Sequence, residues 1–171
     1  MKYSYSDWNN KKGTIPVIWN KEHYVNSGWY KHPDTVQGFS TENKNYQIYG
    51  DNVGVYFPKQ LDTIFEQTFN FFDLDNLVFN LGRHKPGMIL PWHYDNYPVY
   101  SKNKQVKDLE TVVRIIVLLH DSQPGHQLWI EDNFCSGPAG SWFSWQGQVK
   151  HMAANLGEVD RYVLQITGTV K

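Results

Sequence analysis

Leu77-Val78-Phe79-Asn80-Leu81-Gly82-Arg83-His84-Lys85-Pro86-Gly87-Met88-Ile89-Leu90-Pro91-Trp92-His93-Tyr94-Asp95 is the stretch on which the fold turns. It holds two short apolar runs, 77–81 and 88–93, parted by Gly, Pro and charged residues. Runs this brief and this punctuated suit strands rather than helices. The texture continues downstream at 111–119, 127–130, 140–145, 149–153 and 161–167. Short strands so closely spaced predict an antiparallel sandwich or barrel. Upstream, Leu61, Ile64, Phe65, Phe69 and Phe72 recur at helical spacing behind Pro58, which predicts a supporting helix over 58–71. Residues 1–57 are rich in Asn, Lys, Gly and aromatics without a period, and are expected to form irregular cover with one or two short strands. The polar segment 96–110, with Lys102, Lys104 and Lys107, is long for a hairpin; it reads either as a lid over a site or as plain disorder.

A chain of 171 residues with no internal shift in composition is expected to form one domain. Its 40% hydrophobic and 16% aromatic content, including seven Trp and eleven Tyr, supplies a core without disulfides or a structural metal. Sixteen basic and seventeen acidic residues give a formal charge of −1, which lacks the field that non-specific nucleic-acid binding requires. The opening Met1-Lys2-Tyr3-Ser4-Tyr5 lacks an apolar h-region, and the longest aliphatic run, 115–119, is too short to cross a bilayer. Neither nucleic acid nor membrane is therefore an expected partner. The single Cys135 can form no intrachain disulfide, which suits a cytoplasmic location. The oligomeric state is open.

His93 and Asp95 stand two residues apart at the end of a predicted strand, a spacing that puts both side chains on one face. An isolated His-x-Asp arises often by chance, so a third ligand is needed. His151 supplies it, in a strand-like segment between Val149 and Ala153. Two His and one carboxylate cover one face of an octahedron and leave three positions open, as non-haem Fe(II) requires. His23, His32, His120 and His126 have no carboxylate two residues away in a strand and receive no metal role. Arg161 stands ten residues beyond His151 and opens a strand whose alternation puts Arg161, Val163, Gln165 and Thr167 on one face and Tyr162, Leu164 and Ile166 on the other. A guanidinium there is suited to a small dicarboxylate, to which it offers two parallel charged hydrogen bonds.

The segment 84–95 resembles the strand pair leading to the His-x-Asp ligands of the Fe(II)- and 2-oxoglutarate-dependent oxygenases. Gly140-Ser141-Trp142-Phe143-Ser144-Trp145-Gln146-Gly147, followed by His151 and Arg161, is similar to that family's second signature, in which a distal His and a basic residue follow a Gly-led strand. The resemblance spans 77–167, about half the chain, and implies a mainly β double-stranded β-helix of jelly-roll or cupin-like form. It implies His93, Asp95 and His151 as iron ligands and Arg161 as partner of the far carboxylate of 2-oxoglutarate. It also implies use of O₂ to hydroxylate a C–H bond, with release of succinate and CO₂. Lys85-Pro86-Gly87, Leu90-Pro91-Trp92-His93 and Arg114 within an apolar strand look closest to the aspartyl/asparaginyl β-hydroxylase branch, in which an Arg at the place of Arg114 contacts the co-substrate. Buried, Arg114 needs either that carboxylate or an internal Asp or Glu. His84 stands where many relatives carry Tyr, and is either a second co-substrate contact or structural. Asp95 completes the triad and favours hydroxylation over halogenation.

The substrate, whether a peptidyl or amino-acid residue or another small molecule, is not specified by these residues. Trp92, Trp129, Trp142 and Trp145 are either cavity lining or ordinary core, with Trp129 the candidate for substrate contact. The competing classes are a non-catalytic cupin-like module holding a metal or sugar, and a metal-dependent isomerase or dioxygenase without 2-oxoglutarate. Both leave Arg161 and Arg114 without a task.

Overall fold

The computed structural model describes residues 2–31 and 44–171. Its strands are β1 (Lys11–Thr14), β2 (Tyr30–Lys31), β3 (Tyr56–Phe57), β4 (Asp75–His84), β5 (Ile89–His93), β6 (Val112–Leu118), β7 (His126–Ile130), β8 (Asn133–Phe134), β9 (Ser141–Gln146), β10 (His151–Asn155) and β11 (Arg161–Thr169). Short helices α1 (Glu22–Val25), α2 (Lys44–Tyr49) and α3 (Pro98–Lys104) interrupt them. Each downstream run expected as a strand overlaps one of these, and β8 is an addition that its polar Asn133 did not signal.

The strands pair antiparallel into two sheets, ordered β1-β9-β6-β11-β4-β3-β2 and β5-β10-β7-β8. Parity along each strand decides what lies between them. Ile116, Phe143, Trp145 and Val163 of the large sheet meet Leu128, Ile130 and Ala153 of the small one in a shared interior cluster. The alternate residues Val113, Ile115, Val117, Trp142, Tyr162, Leu164 and Ile166 form a second core on the outer face of the large sheet. Trp8, Trp19, Phe65 and Phe72 cover that face, so the N-terminal residues act as a lid on the sheet. Two facing antiparallel sheets of this order are a double-stranded β-helix, mainly β, as expected.

The helix expected over 58–71 differs from the observed element. Residues 58–62 are not helical; Asp62, in extended conformation, accepts a hydrogen bond from the Ile64 N–H and starts a 3₁₀ segment over Thr63–Phe71. Phe65 and Thr68, three apart, are its buried residues, a spacing that matches three residues per turn. Leu61, expected on the apolar face, is 45% exposed. The polar segment 96–110 is ordered into α3 and a 3₁₀ turn at Leu109–Thr111. Tyr97 and Gln105 flank α3 at φ +47° and +57°, a left-handed conformation that costs a side-chain-bearing residue roughly 1–2 kcal/mol. No helix among the described residues is long and apolar enough to cross a membrane.

Candidate metal centre and its cavity

The interior face of the β-helix carries polar side chains among its apolar ones. There His93 of β5 and His151 of β10 stand directly opposite in the strand register, with ring centroids 4.2 Å apart. Asp95, two residues past the end of β5, brings its Oδ1 to 3.6 Å from His93 Nε2 and 3.8 Å from His151 Nε2. One ligand atom from each of the three residues lies within 4.8 Å of the others. The sequence reading thus named the residues that the fold assembles. His32, given no metal role, lies outside the described residues.

Backbone carbonyls set the ring orientations. His93 Nδ1 lies 2.7 Å from the Pro91 carbonyl and His151 Nδ1 lies 2.8 Å from that of Val149. A carbonyl only accepts, so each Nδ1 carries the proton and each Nε2 lone pair faces Asp95. Burial, with His93 alongside, lowers the His151 pKa to about 4 and keeps its imidazole neutral. Burial works against ionisation of Asp95, but the Arg114 guanidinium outweighs it and holds the carboxyl well below the usual range. Arg114 Nε and a terminal nitrogen reach Asp95 Oδ2 at 3.2 and 3.1 Å, which leaves Oδ1 turned to the histidines. Two imidazoles and one carboxylate form a donor set that fits a divalent transition metal. The separations of 3.6 and 3.8 Å are too long for hydrogen bonds and leave room for a cation between the three atoms.

Arg114 was open between a co-substrate carboxylate and an internal acid, and the structure gives it the acid. It donates to Asp95, to Thr167 Oγ1 at 2.7 Å, and stacks its guanidinium 5.2 Å over the Tyr97 ring. Neither Asp95 as its partner nor Tyr97 as its platform was foreseen. The only available signal was an Arg within an apolar strand, which demands a counter-charge without naming it.

A cavity of about 230 Å³ runs inward from the triad, with Leu90, Ile116, Leu128, Ala153 and Val163 among its apolar walls. Its far end holds Arg161, 3% exposed, and His84, 1% exposed. The two are opposed in the β4–β11 register. Arg161 Nη1 lies 3.1 Å from His84 Nδ1. An arginine cannot accept, so His84 Nδ1 is the acceptor and its Nε2 bears the hydrogen. That Nε2 and Arg161 Nη2 are both buried without a hydrogen-bond partner. No carboxylate among the described residues pairs with Arg161, and burial alone lowers its pKa to about 10. Two buried donors without partners, one of them cationic, thus belong to residues that line the same cavity as the triad.

Val55 and Phe57 complete the wall from a part of the chain that carried no readable functional signal. Of the tryptophans, only Trp145 lines the cavity, its ring 4.3 Å from that of His151. Trp142 belongs to the outer core. Trp129 alternates with the inward Leu128 and Ile130, packs on Phe134 at 5.2 Å, and does not reach the cavity.

No protein-family model and no curated protein matches the sequence. Among solved structures, a Pseudomonas putida prolyl-4-hydroxylase superposes with a TM-score of 0.48 at 15% identity, over 88% of this chain and 96% of that one. A predicted oxalate decarboxylase from Thermotoga maritima gives 0.41 at 16% identity, over 68% and 81%. A sugar phosphate isomerase of the cupin superfamily from Silicibacter pomeroyi gives 0.44 at 10%, over 77% and 68%.

Proposed function

We propose that this protein is an Fe(II)- and 2-oxoglutarate-dependent oxygenase that hydroxylates a C–H bond with release of succinate and CO₂. The observation that carries the proposal is the buried, acid-free guanidinium of Arg161 at the closed end of the cavity whose other end is the His93–Asp95–His151 triad. Holding a cation deep in a protein without a counter-charge is costly, and a bound anion relieves that cost. A dicarboxylate entering this cavity meets a metal site at one end and two N–H donors at the other. A metal-binding module or a dioxygenase without 2-oxoglutarate has no use for the second feature.

His93, Asp95 and His151 would hold the iron, and bound iron supplies the activation of O₂ and the oxidative decarboxylation of the co-substrate. The remaining tasks belong to the chain. Arg161 binds and orients the far carboxylate, with His84 Nε2–H as the second donor. Arg114 occupies Asp95 Oδ2, so that Oδ1 alone is presented to the metal. Leu128, Ile116 and Val163 keep water from the cavity, and water would otherwise compete for the open positions. The aspartyl/asparaginyl β-hydroxylase branch rests on the residues quoted from the sequence alone.

Anaerobic addition of Fe(II) and 2-oxoglutarate is expected to produce a weak visible charge-transfer band, and admission of O₂ to produce succinate. His151→Ala is expected to abolish the band. Folded protein giving neither band nor succinate overturns the proposal; a metal bound without any response to 2-oxoglutarate points instead to a cupin-like module or a different dioxygenase.

A further inference from the structure

Beside the metal cavity lies a second hollow of about 650 Å³, with α3 along one side and β4 and β11 along the other. Phe57, Arg114 and Gln165 line both hollows, so the two meet at the Asp95–Arg114 pair. The volume is that of a small-molecule site rather than of an extended interface.

Its charge is one-sided. No Asp or Glu lines it, and the charge of Arg114 is met by Asp95. That leaves Lys104, half-buried on α3, whose ammonium pairs with no carboxylate among the described residues. α3 begins near Asp95 and carries Lys104 roughly 9 Å further along, six residues at the helical rise. Between these ends the α3 wall offers Val99, 71% exposed, and the rings of Tyr97 and Tyr100. Left-handed φ values at Tyr97 and Gln105 bracket this wall segment, and backbone held in such conformations clusters at ligand clamps.

We propose that this hollow seats the compound to be oxidised, and that the compound is a small organic acid with an apolar body. Its carboxylate lies on Lys104, and its body runs along Val99 and Phe57 toward the Arg114 edge of the metal cavity. That it is the substrate rests on the oxygenase reading; that the hollow binds such an acid does not.

The test uses the full chain without metal and measures binding of octanoate and 3-phenylpropanoate against their neutral amides by calorimetry. At least one acid is expected to bind, with its amide weaker by roughly five- to tenfold, the scale of one partly shielded ion pair. Lys104→Glu and Lys104→Gln are expected to abolish the preference for the acid, while Lys102→Glu, on the exposed side of α3 and outside the hollow, preserves it. Far-UV circular dichroism checks the fold of each variant. Failure of both acids to bind, equal binding of acid and amide, retention of the preference in folded Lys104→Glu, or capture of an acidic peptide in place of the small acids would each overturn the proposal. Binding of 2-oxoglutarate with Mn(II) is measured in parallel. Its absence beside intact octanoate binding removes the oxygenase reading and leaves the hollow's ligand class standing.

Discussion

Arg161 separates the requirements of stability from those of function most sharply. Its guanidinium is buried beside a neutral imidazole with no acid to balance it, so the fold bears a desolvation cost that an apolar side chain would not. Arg161→Met is therefore expected to raise the unfolding free energy by about 1–2 kcal/mol while removing measurable 2-oxoglutarate binding. Urea denaturation and calorimetry check the two halves, and a destabilised variant that still binds 2-oxoglutarate would show Arg161 to be structural. Arg114→Met should behave oppositely, because it strands the Asp95 carboxylate: a loss of about 3 kcal/mol, together with weaker metal binding, is expected. The contrast mirrors what the sequence could reveal. Strand parity groups His93 with Asp95 and Arg161 with Gln165, but the resemblance of 84–95 and 140–161 to the oxygenase signatures was needed to single these residues and His151 out as a site. The Asp95–Arg114 pair joins β6 to the segment after β5, a tertiary contact with no trace in local periodicity.

Elements were legible in proportion to how far their apolar pattern exceeded local noise. β6 and β11 carry continuous or alternating apolar runs and emerge with nearly the expected bounds, whereas β4 runs from Asp75 to His84, beyond the apolar 77–81 at both ends. β2 and β3 have two residues each and owe their existence to neighbours in the sheet. The Thr63–Phe71 segment shows how similar the spacings of 3₁₀ and α-helices look when every third or fourth residue is apolar. α3 was hidden by its polar surface and by the residues at its ends. Gln105 is exposed, takes φ +57° and donates its N–H to the Ser101 carbonyl, the place where glycine is preferred after a helix. Gln105→Gly is expected to stabilise the chain by about 0.5–1 kcal/mol, a rise of a few degrees in Tm. A fall in Tm would mean that the segment leaves this conformation in solution.

At the scale of the whole molecule, the buried imidazoles make stability depend on pH. The pKa of His84 is lowered well below its ordinary 6.5, by burial first and Arg161 second, and that of His151 is lowered to about 4. His120 and His126 shift the same way, mainly through burial. As pH falls through 6.5 the unfolded chain takes up protons that the folded chain refuses, so stability present above that pH is lost on acidification. His84 and His151 are expected to forfeit about 1 kcal/mol each by pH 5.5, and His151 continues to lose stability until about pH 4. Asp95 adds a loss of the same sign only below its ordinary 3.8, because its folded pKa lies lower still. Urea unfolding of the metal-free protein at pH 7.5 and 5.5 checks this, with a drop of about 2–3 kcal/mol expected. In the double variant His84→Gln, His151→Gln the drop should shrink to the smaller share of His120 and His126. Equal stability of the parent protein at the two pH values would mean that both imidazoles are protonated in the fold. His84 would then have to turn its ring away from Arg161, and the paired donors at the closed end of the cavity would not form.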